Sequence, residues 1–152
     1  MTMFHSMNTT ASALTTQRLR MDVISSNMAN IDTTRATLEN GEWQPYKRKS
    51  VVLKPQGDNF SSFLNTAMNR PSNAGEGVTV SRIIEDNETP GELLYDPEHP
   101  DANEEGYVEM PNVDPLREMV DLMSATRSYE GNVTVFNANK SMMMQALQIG
   151  RS

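Results

Sequence analysis

The chain has 152 residues, a formal net charge of −7, 12 methionines and no cysteine, which suits one compact domain or a small domain with appendages. The acidic balance argues against nucleic-acid binding, which needs a basic face to displace counterions, and against docking on anionic lipid. The lack of Cys removes disulfides, thiol catalysis and zinc–thiolate sites, and hydrophobic residues at 37% are few for a self-sufficient core. No apolar run approaches the roughly 20 residues of a membrane span. The opening Met1-Thr2-Met3-Phe4-His5 lacks a basic stretch followed by an apolar one, so export by a cleaved secretory signal is not expected.

Residues 1–34 read as a helix. Met7, Leu14, Met21 and Met28 recur every seven residues, and Ile24 and Ile31 add a companion row. This is the a/d spacing of a helix that packs on another helix. Thr9, Thr10, Thr15 and Thr16 are β-branched and lose rotamer freedom in a helix, so the segment needs partners to stay ordered. Asn, Asp and Thr cluster between Asn30 and Thr34 and compete for backbone hydrogen bonds, which ends the helix there.

Residues 35–112 change character and read as a small β-rich middle domain. Six of the eight Gly and seven of the eight Pro fall here. Short strands are expected at Tyr46–Leu53, Val78–Ile84, Leu93–Tyr95 and Tyr107–Val108, with turn chemistry between them. Residues 54–76 form a Ser-, Asn- and Gly-rich segment, expected to be flexible at its flanks. Within it Phe60, Phe63, Leu64, Ala67 and Met68 keep the spacing of a short amphipathic helix.

Residues 113–152 read as a second long helix with its cap and end. Asp114 is placed to cap it, Pro115 suits the first turn, and Gly150 stops it. Leu116, Met119, Met123, Val133, Met144 and Leu147 form one apolar row; Leu122, Tyr129, Phe136 and Met143 form a second. Each terminal helix would span about 45–50 Å at roughly 1.5 Å per residue. The expected fold is mainly α, an antiparallel, coiled-coil-like pair of terminal helices with a small β-containing middle domain. Such a pair cannot bury both rows of the second helix. The surplus apolar surface points to self-association, to partner helices, or to a layer against the middle domain. Met-rich faces suit interfaces that repack, and Met also serves as ordinary core filler.

The polar candidates yield no reaction. Asp96-Pro97-Glu98-His99-Pro100-Asp101, with Glu104 and Glu105, offers carboxylates and an imidazole to a cation, but its spacing matches no EF-hand loop and its prolines stiffen it. A solvated acidic loop is the preferred reading. Asp86 and Glu88 have no nucleophile or oxyanion donor nearby in the sequence. Arg127 and Glu130 sit three apart and form an ordinary helix ion pair, with Asn132 beside them. Asn27 and Asn30 give the first helix a polar stripe; inside a helix-packed assembly such groups fix register. No catalytic, cofactor-binding or metal site is assigned, and the chain reads as a structural protein rather than an enzyme.

Some of these residues form a recognisable pattern. Ser12-Ala13-Leu14, Arg18-Leu19-Arg20-Met21-Asp22-Val23-Ile24 and Asn27-Met28-Ala29-Asn30-Ile31-Asp32-Thr33 resemble the N-terminal signature of the bacterial flagellar rod and hook family. Ser25-Ser26 stand where that family often has Ala-Asn. Tyr95–Ala102, Gly106–Val113, Glu118–Leu122, Arg127–Asn132 and Lys140–Met142 are similar to the proximal-rod members. Gly131 replaces the more usual Ala there, at a cost of up to about 1 kcal/mol of helix stability. The resemblance covers both ends and residue 77 onward.

The resemblance implies that the terminal helices build the inner tube of a rod outside which the middle domain lies. It implies export through the flagellar type III apparatus without cleavage, and a place in the basal body, in the periplasm or cell-wall space. The partners it implies are other rod proteins, the junction protein at the rod base and further copies of this chain, with no nucleic acid and no membrane insertion. The role would be a drive shaft that carries torque and encloses the export channel. Met7, Leu14, Met21, Ile24, Met28, Ile31, Leu116, Met119, Met123, Tyr129, Val133, Phe136, Met143, Met144 and Leu147 would then pack between subunits, and Asn27, Asn30, Thr33, Arg127, Glu130 and Asn132 would make the motif's polar contacts. Another axial protein of the same family, or a cytosolic coiled-coil adaptor, are the alternative readings.

Overall fold

A computed structural model describes residues 2–39, 41–56, 68 and 77–150. The first helix, α1, runs Thr2–Ala29, and the second, α2, runs Pro115–Ile149. Between them lie six strands: β1 Thr37–Glu39, β2 Glu42–Gln44, β3 Lys49–Pro55, β4 Val78–Glu85, β5 Leu93–Tyr95 and β6 Tyr107–Glu109. The architecture is mainly helical with a β-containing middle. The amphipathic segment expected around Phe60 to Ala67 lies outside the described residues. No described helix is long and apolar enough to cross a membrane.

The threonines of α1 are accommodated by folding their hydroxyls back onto the helix. Thr9 donates to the His5 carbonyl at 3.0 Å, Thr10 to Ser6 at 2.8 Å and Thr15 to Ala11 at 3.1 Å, the back-bonding that keeps a β-branched polar residue satisfied within a helix. The helix stops at Ala29, where Asn30 turns its side-chain amide onto the Ser26 carbonyl at 2.8 Å. Ile31, part of the heptad row by spacing, therefore lies in the turn after α1. At the start of α2, Asp114 Oδ1 accepts the Leu116 N–H at 2.9 Å and the Arg117 N–H at 3.4 Å, a cap on otherwise unpaired donors.

The strands form three two-stranded sheets, β1–β2, β3–β4 and β5–β6. The β1–β2 hairpin, absent from the sequence reading, pairs Leu38 with Trp43 and turns through Gly41 at φ 90°, a backbone that glycine adopts without steric cost. The flanking bonds Asp86 N–H to Arg48 O (2.8 Å) and Gln56 N–H to Gly77 O (2.7 Å) show β3 and β4 running antiparallel. β3 starts at Lys49 rather than Tyr46, because Tyr46 follows Pro45 and turns its side chain into the interior. In β5–β6, Leu94 pairs with Val108, and the Tyr95 and Tyr107 rings meet edge-on at 5.2 Å. The acidic stretch from Asp96 to Gly106 is the connection of this hairpin.

The chain divides into two compact units, each drawing on both long helices and on the β3–β4 pair: residues 1–19, 52–82 and 124–152 form the first, residues 20–51 and 83–123 the second. In the first, Thr10, Thr16 and Ala125 are buried, and Asn139 Nδ2 of α2 donates to Ser6 Oγ of α1 at 2.9 Å. There α1 also holds the first residue of β4. The Val78 N–H donates to Ser12 Oγ at 3.1 Å, and Thr16 Oγ1 donates to the Val78 carbonyl at 3.4 Å. A Cβ at Gly77 would push aside the Ser12 hydroxyl and the Gln56 side-chain oxygen, so glycine leaves room for the Ser12 bond. In the second unit, Val23, Ile24, Tyr46, Val108 and Val113 form the buried apolar core.

The two apolar rows of α2 have different fates. Leu122, Tyr129, Phe136 and Met143 are half-buried within the chain, as is Val133. Leu116, Met119, Met123, Met144 and Leu147 are open, with Leu116 73% and Leu147 69% exposed. Of the α1 row, Ile24 is buried and Met7, Leu14, Met21 and Met28 are half-buried.

Candidate functional site

The second unit contains a buried polar anchor where the end of α1, the start of α2 and the start of β3 converge. Its centre is Asn27, which is fully buried, as is Glu118 beside it. Asn27 Nδ2 donates to the Lys49 carbonyl at 2.9 Å and to Glu118 Oε2 at 3.0 Å. Asn27 Oδ1 accepts from Tyr46 Oη at 3.0 Å and from the Lys49 N–H at 3.0 Å. All four hydrogen-bonding positions of the amide are therefore used. Asparagine is the only residue of this size that both donates twice and accepts twice in this plane. Leu cannot bond, and Asp cannot donate when ionised.

Glu118 enters the anchor from the first turn of α2, where its charge also faces the positive helix end. Its second oxygen, Oε1, accepts from Arg48 Nε at 2.6 Å. Arg48 is 15% exposed, and its Nη2 reaches Asp121 Oδ2 at 3.4 Å. Arg20 of α1 approaches the other Asp121 oxygen at 3.3 Å. Along α1 the bonded order is Arg20 then Asn27, and along α2 their partners run Asp121 then Glu118, so the helices are antiparallel within this unit.

A second layer fixes Arg48. Its N–H donates to Asn112 Oδ1 at 2.7 Å. Asn112 in turn donates from Nδ2 to the carbonyls of Asp86 and Thr89, each at 3.0 Å. The Asp86 carboxylate closes its own turn by accepting the Thr89 N–H, the Thr89 hydroxyl and the Glu88 N–H. These bonds, the Thr89 N–H first, hold its carboxyl below the usual carboxylate range, with a small contribution from Arg48. Gly91 lies against the Met110 carbonyl, where a side chain would not fit.

The loop between β5 and β6 is fastened to the segment after α1. Asp101 accepts from Arg35 and, at 2.7 Å, from the Thr34 hydroxyl. The Arg35 hydrogen bond, then that of Thr34, pull the Asp101 carboxyl below its ordinary value. Asp96 accepts the Glu98 N–H at 3.2 Å, and Asn103 accepts those of Glu105 and Tyr107 at 3.0 and 2.8 Å. Among the described residues, no three His, Asp or Glu side chains converge as metal ligands. The carboxylates at the heart of this region shape loops and bridge helices.

The six motif residues separate into two groups. Asn27, Asn30 and Thr33 gather at the end of α1. Thr33 Oγ1 donates to Asn30 Oδ1 at 3.3 Å, and the Thr33 carbonyl accepts the Tyr46 N–H at 3.0 Å. Arg127 and Glu130 pair with each other on the surface of α2 at 3.1 Å, and Asn132 Nδ2 donates to Ser128 O at 2.8 Å within the same helix. Sequence reasoning missed Tyr46, Lys49 and Glu118 as partners of Asn27, and Arg48 and Asp121 as the residues that extend the network from Glu118. Nothing local marks them: Glu118 sits in the first turn of α2 and Arg48 just ahead of β3, where both read as ordinary surface charges.

Two family models match. The one described as "Flagella basal body rod protein" matches residues 7–37, and the one described as "Flagellar basal body rod FlgEFG protein C-terminal" matches residues 104–149. The first covers most of α1 and the turn with Asn30 and Thr33; the second covers β6 and α2. The chain is 63% identical over 151 residues to the flagellar basal-body rod protein FlgC of Bacillus subtilis, covering 99% of this chain and 100% of the relative. It is 43% identical to FlgC of Borreliella burgdorferi over 98% of both chains, and 43% identical to FlgC of Escherichia coli O157:H7 over 92% of both. With this identity sustained across both helices and the strands between them, the chain belongs to the FlgC family of flagellar basal-body rod proteins.

Proposed function

We propose that the chain is a structural subunit of the flagellar proximal rod, joined to its neighbours through the two terminal helices. In this reading the helices line the inner tube, the strand-bearing middle stands outside it, and the assembly carries torque while enclosing the export channel. Neighbours are other rod proteins, the junction protein at the rod base and further copies of the chain, reached after export through the flagellar type III apparatus into the periplasm or cell-wall space.

The observation that carries the proposal is the open row of α2. Leu116, Met119, Met123, Met144 and Leu147 are between 48% and 73% exposed. Burying such surface yields about 25 cal/mol per Å², so covering it by neighbouring helices stabilises an assembly that one chain cannot complete. Many dispersion contacts along a helix distribute load without depending on one bond. The half-buried α1 residues Met7, Leu14, Met21 and Met28 and the α2 residues Tyr129, Val133, Phe136 and Met143 are proposed to complete the packing as the subunits close up. Asn30, Thr33, Arg127, Glu130 and Asn132 are proposed to supply polar contacts that set its register.

The test is recovery of the chain in isolated basal bodies. Leu147→Asp and Met144→Asp should be absent from the rod, and cells carrying them should not swim, although the purified variants stay soluble. Normal motility in both would overturn the helix-row reading.

A further inference from the structure

The formal charge of −7 conceals a division between the two compact units. The first unit, residues 1–19, 52–82 and 124–152, holds seven Lys and Arg against three Asp and Glu, a net +4. The second, residues 20–51 and 83–123, holds six against seventeen, a net −11. Between Arg82 and Arg117 there is no Lys or Arg.

On the second unit, Glu92, Glu98 and Glu105 are exposed. They flank exposed apolar side chains, with Leu93 and Tyr95 each 64% exposed and Trp43 56% exposed. On the first unit, Lys54, Arg82 and Lys140 are exposed. Its one described carboxylate, Glu130, is already paired with Arg127.

We infer that the acidic face around the β5–β6 hairpin of one copy docks on the cationic surface of the first unit of a second copy. The inference rests on the assembly reading above and adds direction to it. Opposite charges attract over a Debye length of about 8–10 Å at moderate salt. Two acidic faces, each on a unit of −11, repel, which disfavours a two-fold pairing of like surfaces. A contact between unlike surfaces leaves each copy one free surface of each kind, so it extends to further copies in a ring or in the open helix that a rod requires. The exposed Leu93 and Tyr95 give the contact an apolar centre that salt does not screen.

The experiment compares four chains in cells. One carries Glu92→Lys, Glu98→Lys and Glu105→Lys; one carries Lys54→Glu, Arg82→Glu and Lys140→Glu; one carries all six; the fourth is unchanged. The amount of chain in isolated basal bodies is measured. Each single set should lower incorporation by about tenfold, as expected when like charges face each other at a contact, and the six-fold variant should recover most of it. Gln at the same positions should give smaller losses in the same order, which separates charge from misfolding; circular dichroism of the purified chains checks their helix content.

If the acid-reversed chain fails and the base-reversed chain incorporates normally, the occupant is a different basic protein and the second-copy inference is overturned. Equal incorporation of all four chains also overturns it and leaves the rod reading intact. Absence of the unchanged chain from basal bodies defeats the rod reading itself.

Discussion

Asn27 bonds both backbone groups of Lys49: its amide donates to the Lys49 carbonyl at 2.9 Å and its carbonyl accepts the Lys49 N–H at 3.0 Å. The side chain thereby acts as the missing neighbour strand at the first residue of β3. Ser12 and Thr16 do the same for Val78, the first residue of β4. One helix thus saturates the opening residue of each strand, leaving neither as an unpaired edge at that point.

Asn27→Ala should strip the anchor of its centre. It leaves the Tyr46 hydroxyl, both Lys49 backbone groups and a Glu118 oxygen without their partner. An unsatisfied buried polar group costs roughly 1–3 kcal/mol, and the losses are shared through relaxation and water entry, so a total near 3 kcal/mol is expected. Asn30→Ala, which loses a bond to Ser26 and a long one from Thr33 near the surface, should cost below about 1 kcal/mol. Urea titration followed by circular dichroism separates the two. Equal midpoints would show that the anchor does not hold the chain.

Arg48 and Glu118 should behave as a coupled pair. Arg48→Met leaves a fully buried carboxylate without its guanidinium, a loss of about 3–5 kcal/mol for a broken buried pair. Adding Glu118→Gln removes the stranded charge while keeping an acceptor for Asn27, so the double variant should be more stable than Arg48→Met alone. A double-mutant cycle reads the coupling. Additivity of the two changes would place Glu118 in a wetter environment than its burial implies.

The anchor explains what sequence reading reached and where it stopped. The Asp114 cap and the breaks at Asn30 and Gly150 are local signals, and both helices follow them; the heptad row of α1 outruns its helix, since Ile31 lies in the turn. The run Val78–Ile84 is β-branched and becomes β4. The β1–β2 hairpin was not read, although Asn40-Gly41 is a strong turn signal, because the flanking runs are too short to stand out by alternation. The network was not legible. Arg48 sits within Lys47-Arg48-Lys49 and Glu118 within a polar first helical turn, and both look like solvated charges. Their burial follows from a contact across 70 residues, which no local pattern encodes. Likewise, two apolar rows on α2 are visible in the sequence, but which one turns inward depends on where α1 lies.

Acid, and not the neutral range, should loosen the turns held by Asp86 and Asp101. Asp86 and Asp101 both have carboxyls lowered from the ordinary 3.8. A depressed folded-state value means the stabilisation is fully present above the unfolded value and is lost as pH falls through the folded one. Stability should therefore be insensitive to these two groups from neutrality down to about pH 5, and fall below about pH 4. Asp86→Asn and Asp101→Asn should each flatten the acid limb of a urea-midpoint profile. An unchanged acid limb in the paired variant would remove these turns as the cause.

Among the described residues, nothing requires glycine at position 131. A Cβ added there meets no described atom within 4 Å, and the residue is exposed in the interior of α2. Gly131→Ala should stabilise the isolated chain by about 0.5–1 kcal/mol through lower unfolded-state entropy and better helix propensity. Helix content and thermal midpoint both report it. A destabilised monomer would mean that α2 is bent or crowded at this position in solution.

The anchor also divides the expected dynamics of the helices. Weak intrinsic helicity and an open apolar row predict fast amide exchange over much of residues 1–34 and 115–150 in the free chain. The exceptions should be Val23 to Asn27 and the first turns of α2 around Glu118, where burial and the network tie the helices together. In the first unit Asn139 of α2 bonds Ser6 of α1, but residues 141–149 are exposed apart from Met143, so residues 130–149 should exchange fastest. Hydrogen exchange of the purified chain should show this gradient along α2. Asn27→Ala should abolish it by speeding the slow end. Uniformly strong protection along α2 would mean that the chain finishes folding alone, leaving assembly nothing to order.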